Sequence, residues 1–106
     1  MGNVDNQTNV FTALIQLEKK HNLFDLDTVS RLIIQQVFIN ENLNEKTTTK
    51  DLVKTADVCS FTVLNRIKHL VKINAIKVVW IEGCKTFRVG DSVHSFCSDL
   101  MKGFSL

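Results

Sequence analysis

The chain has 106 residues, of which 44% are hydrophobic and 23% charged, with a formal net charge of +2. That length fits one domain, and the balance excludes both a disordered polyelectrolyte and a spanning run of ~18 apolar residues. Proline is absent and glycine occurs four times, which argues against collagen, low-complexity linkers and loop-rich sandwiches and in favour of helices.

The charge is unevenly spread. From Lys46 to Val89 nine lysines and arginines face only Asp51, Asp57 and Glu82, a local +6, whereas residues 1–45 carry −3 and the stretch from Gly90 carries −1. A basic centre between acidic ends suits a surface made for a polyanion. The N-terminal Met-Gly-Asn-Val-Asp-Asn-Gln-Thr-Asn lacks the cationic and apolar runs of a secretory leader. Three cysteines, Cys59, Cys84 and Cys97, are an odd and sparse set for a disulfide framework. A cytoplasmic protein without a membrane partner is expected.

Residues 8–21 place Val10, Leu14 and Leu17 at helical spacing, with Phe11 and Ile15 beside them. Asp27 can cap a second helix whose broad apolar face is Val29, Leu32, Ile33, Val37 and Phe38. The pattern fails at Asn40-Glu41-Asn42-Leu43-Asn44, where asparagines favour a turn. Thr48-Thr49-Lys50-Asp51 fits a capping box at the head of a short helix that buries Leu52 and Ala56. Asp57-Val58-Cys59 reads as a tight turn with Val58 inward. Ser60 is expected to cap a longer helix ending near Ile73, with Val63, Leu64, Ile67, Leu70 and Val71 inside and Asn74 stopping it in the left-handed conformation. Ile76, Val78 and Trp80 alternate with Lys77, Val79 and Ile81, Glu82-Gly83 can turn, and Thr86-Phe87-Arg88-Val89 returns as a second strand. Val93, Phe96, Cys97, Leu100, Met101 and Phe104 then form the stripe of a last amphipathic helix.

The expected fold is therefore mainly α with a small β-hairpin wing. One domain over 1–106 divides into N-terminal helices (8–45), a helix-turn-helix with wing (46–90) and a C-terminal helix (91–106). The run Thr49 to Leu70 resembles the core of MarR-type regulators through Leu52, Ala56 and Val58, then Ser60, Thr62, Val63, Arg66 and Leu70, continuing through Asn74 and Ile76 into the wing. The resemblance implies a winged helix-turn-helix, sequence-specific binding of double-stranded DNA and a homodimer built on the terminal helices. It departs from the family in a short wing tip without the Asp-x-Arg motif.

On the long helix, Thr62, Asn65, Arg66, His69 and Lys72 recur at helical spacing opposite the apolar stripe. Their donors and acceptors suit base edges and phosphates in a major groove. Ser60 can meet a phosphate at the helix N-terminus. Lys50, Lys54 and Lys68, with Lys85 and Arg88 from the hairpin, can add backbone contacts. Phe61 can touch a thymine methyl, but packing against the wing or the second helix suits a large apolar side chain better. Trp80 shares a strand face with Ile76 and Val78 and is expected in the core. Cys84 near the wing tip is the exposed thiol, and Cys97 falls on an apolar stripe. His94 and Cys97 offer two metal ligands, too few for a site. No enzyme motif is present, and neither a cofactor nor a metal is expected. The competing reading is a winged-helix adaptor that binds proteins. Apolar stripes on both terminal helices (Val10, Phe11 and Leu14; Phe96, Leu100, Met101 and Phe104) exceed what one small core covers, which points to a two-fold interface.

Overall fold

Helix ends in this chain are made with asparagine and aspartate, the substitutes for its scarce glycine. The computed structural model describes residues 12–104. The described part of α1 covers residues 12–20. Then come α2 (Thr28–Asn42), α3 (Thr49–Ala56), α4 (Ser60–Lys72), β1 (Ile76–Ile81), β2 (Cys84–Val89) and α5 (Asp91–Phe104). Asn22, Asn44, Asp57 and Asn74 follow the first four helices with φ of 61°, 58°, 52° and 62°. After α4, Ala75 N–H donates to Leu70 and Asn74 N–H to Val71, the paired bonds of a Schellman stop. The same pair recurs at Asn22 and at Asn44. Helix α2 runs on through Asn42, so the turn expected from Asn40 begins only at Leu43.

The helix starts follow side-chain chemistry. Asp27 accepts from Ser30 N–H at 2.9 Å, and Thr48 and Asp51 form the reciprocal capping box. Helix α4 differs from expectation. Its N-cap is Cys59, without a side-chain cap, and Ser60 is the first helical residue.

Helix α2 packs on α3, α4 and β2, and α4 closes against β1. Ile33 and Val37 meet Leu52, Val63, Ile67, Leu70, Ile76, Phe87 and Val89 in one core, which Leu23 and Val93 also join. Each such aliphatic residue contributes about 1.5–3 kcal/mol by leaving water. Strands β1 and β2 pair antiparallel, Ile76 opposite Val89 through Ile81 opposite Cys84. Glu82 and Gly83 both have positive φ, as a type I′ turn requires.

The hairpin is not left to stand alone. Gln36 donates to Asn40, buried Asn40 donates to buried Thr47 at 2.9 Å, and the Thr47 carbonyl accepts from Phe87 N–H. Glu41 accepts from Val89 N–H. These bonds satisfy the outer edge of β2 and hold the wing to α2. The architecture is the expected winged helix-turn-helix, with α3 and α4 as its two helices and the hairpin as wing.

Candidate nucleic-acid interface

The buried stripe of α4 is Val63, Ile67 and Leu70. The face directly opposite carries Phe61, Asn65, Lys68 and Lys72, spaced i, i+4, i+7 and i+11, and all four are exposed. No acidic residue occurs in α4. Among the described residues, Lys50, Lys54, Lys68, Lys72 and Lys85 have no carboxylate within ion-pair distance. Lys50 and Lys54 stand exposed on α3, a helical turn apart.

Thr62, Arg66 and His69 occupy one flank of α4 rather than its centre. Thr62 is half-buried, its hydroxyl 3.7 Å from the Cys59 sulfur. Arg66 is turned towards the start of α2, its Nε donating to Asp27 Oδ2 at 2.6 Å. Asp27 is thus held by three partners. Chiefly the backbone N–H of Ser30, helped by the Ser30 hydroxyl and Arg66, keeps its carboxyl below the usual carboxylate range, against an opposing effect of burial that outweighs either helping hydrogen bond singly. His69 is exposed beside a hollow lined also by Lys19, Phe24, Asp25 and Ile73. Ser60 is exposed at the first turn of α4. Lys85 lies on the wing face shared with Phe87, its ammonium 5.7 Å from the ring centre. The strand register puts Arg88 on the opposite face, beside Lys77, so the structure separates these two cations.

Four apolar residues sit elsewhere than expected. Val58 points outward, and Leu64 is 44% exposed on the second flank of α4. Phe61 is 70% exposed rather than buried against the wing or α2. Trp80 is 66% exposed. The reason lies in the register: Ile76 with Val89 and Val78 with Phe87 fill the inner face, while the next pair, Trp80 with Lys85, overhangs the end of the core. The exposed Phe61 and Leu64 were readable in principle, because the helical period places them opposite or beside the inner stripe.

Of the thiols, Cys59 and Cys84 are exposed and Cys97 half-buried. The backbone N–H and hydroxyl of Thr62 and the N–H of Phe61 hold the Cys59 thiol below its ordinary pKa. Among the described residues no three His, Cys, Asp or Glu side chains gather as metal ligands.

At the other end of the molecule α1 meets α5. His21 Nε2 and Lys20 Nζ lie 2.9 and 3.2 Å from Asp99 Oδ2, and the His21 ring stands edge-on to Phe96. Beneath them an apolar groove of about 300 Å³ runs between α1, α2 and α5, lined by Leu23, Leu26, Ile34, Phe38, Val93 and Phe96. Of the expected interface residues, Leu14, Phe96 and Leu100 are half-buried and Met101 is exposed. Val10 and Phe11 lie outside the described residues, as does the side chain of Phe104.

Helix-turn-helix, wing and flanking helices define the class: a winged helix-turn-helix of the layout seen in MarR-type regulators. Solved structures share it. A Staphylococcus aureus MepR mutant superposes with a TM-score of 0.62 at 13% identity, covering 98% of this chain and 77% of that one. Heme-free PefR matches with a TM-score of 0.53 at 12% identity, over 99% of this chain and 97% of its own. Bordetella bronchiseptica BpsR, whose DNA binding is described as regulated by 6-hydroxynicotinic acid, gives 0.54 at 10% identity over 96% and 80%. These neighbours are MarR-family regulators, and at such identities the likeness is one of fold. No family model and no curated protein matches the sequence.

Proposed function

We propose that this chain is a MarR-type transcription regulator, not an enzyme, that binds double-stranded DNA as a homodimer in the cytoplasm. The observation that carries the reading is the outward face of α4, where Asn65, Lys68 and Lys72 are exposed on a helix without acids, in a fold shared with DNA-binding regulators. A helix of this size fits the major groove. Asn65 supplies base-edge chemistry there, with Arg66 and Thr62 on the near flank and His69 beside them. Lys50, Lys54, Lys68, Lys72 and Lys85 neutralise phosphates, and the exposed Ser60 and first-turn N–H groups add a neutral contact. Arg88, on the other face of the wing, belongs to this surface only if the duplex wraps both sides of the hairpin.

The dimer is supported by apolar residues exposed on α1 and α5, Ile15 and Met101, and no described helix is long and apolar enough to cross a membrane. A two-fold pair would present two copies of α4 to successive major grooves about 34 Å apart. The groove between α1, α2 and α5 offers an apolar seat to a small effector.

Selection of bound duplexes from a random pool, followed by a salt titration, tests the reading. The expected outcome is an enriched two-fold sequence whose log affinity falls linearly with log salt. Retention of no duplex at low salt overturns it and favours the protein-adaptor alternative.

A further inference from the structure

Two of the exposed side chains on α4 are hydrocarbon. Phe61 and Leu64, 70% and 44% exposed, stand three residues apart, which makes them neighbours on the helix surface. Among the described residues nothing buries them, and Phe61 does not gain the cover expected from the wing or the second helix. Asn65 lies one helical turn on from Phe61, and the same helix continues into Lys68 and Lys72. An apolar patch that runs directly into unpaired cations, with no acid anywhere on its helix, is poorly suited to an ordinary apolar protein surface. It suits a polyanion that carries methyl groups on its readable edge. Duplex DNA offers that combination at one base pair only. Thymine projects its C5 methyl into the major groove, and its partner adenine shows N7 and the N6 amino group alongside.

We propose that α4 reads A·T pairs through thymine methyl groups, with Phe61 and Leu64 as the methyl-contacting pair and Asn65 as the reader of the adjoining adenine edge. The inference rests on the proposed DNA-binding reading and names the base chemistry that reading leaves open. Contact with a methyl removes apolar surface from water on both sides, so the exposure of Phe61 and Leu64 in the free protein is recovered on binding. Discrimination against G·C pairs follows, since neither guanine nor cytosine carries a methyl group at this edge.

Deoxyuridine provides the test, because it pairs as thymine does and lacks only the methyl. The best duplex from the random pool is resynthesised with single thymines replaced by deoxyuridine, and affinities are measured for the wild type, Phe61→Ala and Leu64→Ala. For the wild type, affinity should fall about three- to fivefold at each contacted position, the size of one buried methyl group. Phe61→Ala and Leu64→Ala should each weaken the thymine duplex and abolish the deoxyuridine effect at one position. Their salt slope should match the wild type, since phosphate contacts persist. Both side chains are exposed and alanine favours helix, so folding is retained and circular dichroism verifies it. Deoxyuridine duplexes bound as tightly as thymine ones, with the salt slope intact, overturn the inference and leave DNA binding standing. Alanine variants with wild-type duplex affinity also overturn it, and assign the patch to a protein partner. Loss of all duplex binding at low salt removes both readings together.

Discussion

Arg66 shows how one side chain can serve the fold and the site at once. Its Nε is committed to Asp27, 39 positions earlier, while among the described residues its Nη groups make no hydrogen bond. The guanidinium can therefore stay tethered to the start of α2 and still present a fork to guanine O6 and N7. Arg66→Ala is expected to weaken specific binding by ~1–3 kcal/mol and relax preference at one base position. A substitution that changes neither affinity nor preference, measured by competition with mismatched duplexes, would remove Arg66 from the interface. Cys59 is the second residue with chemistry of its own, at the N-terminus of the proposed reading helix. Its thiol is held below the ordinary value by the Thr62 and Phe61 groups, so more of it is thiolate at neutral pH. Iodoacetamide should alkylate Cys59 before Cys84, and the adduct should depress duplex affinity by crowding the first turn of α4. Mass spectrometry of a partial reaction reads the order, and prior labelling at Cys84 would refute it.

Among the elements, the wing shows how a marginal hairpin is made to persist. A two-stranded ribbon is barely stable by itself, and here β2 gains a second edge from the Thr47 carbonyl and Glu41. The junction to α5 is equally close. A Cβ at Gly90 would fall on the carbonyl oxygen of Asn74, whereas one at Gly83 meets nothing. Gly90 is therefore required by packing, and Gly83 only by its positive φ in the turn. Gly90→Ala should destabilise the fold by about 1–3 kcal/mol through that overlap with rigid backbone. Gly83→Ala should cost about 1 kcal/mol and leave the core untouched. Urea unfolding of the two variants gives the comparison, and a milder loss at Gly90 than at Gly83 would contradict the packing argument.

For the whole molecule, stability and assembly turn on how α1 and α5 are held and covered. One described link is the His21 and Lys20 contact with Asp99. The hydrogen bond from His21, then that from Lys20, keeps the Asp99 carboxyl below its usual range. A carboxylate with a depressed folded pKa stabilises the fold above its unfolded value near ~3.9 and loses that contribution as pH falls through the lower folded value. Asp99→Asn should thus lower Tm at pH 7, with the difference from wild type closing as pH drops below about 4. An undiminished difference at pH 3 would assign the effect to packing instead. Beyond this link, Met101 is 72% exposed on α5, and monomers rarely leave such surface in large patches. The proposed dimer predicts a sedimenting particle of twice the 12.0 kDa chain mass at micromolar concentration. Met101→Asp should shift it towards the single chain and weaken duplex binding in parallel. A wild-type protein that sediments as one chain at high concentration would exclude the interface.

What the sequence by itself determined were features made within a few residues of one another. The Thr48–Asp51 capping box, the Asp27 cap, the stop at Asn74, the Glu82-Gly83 turn and the inner stripe Val63, Ile67 and Leu70 are all where the pattern places them. Each depends on backbone donors, φ values or a helical period that a short segment carries with it. The order of helices and hairpin followed, and with it the winged helix-turn-helix. Only the tertiary structure decided which way the marginal positions face. Phe61, Leu64, Val58 and Trp80 are apolar enough for a core, yet the volume beneath α4 and the hairpin is already filled by Leu52, Leu70, Phe87 and Val89. Interiors are packed to a fixed density, so these four remain in solvent. The ties from Arg66 to Asp27, His21 to Asp99 and Asn40 to Thr47 arose the same way. Such partners meet only after the helices have assembled, because no local rule acts across a gap that the folded chain alone closes.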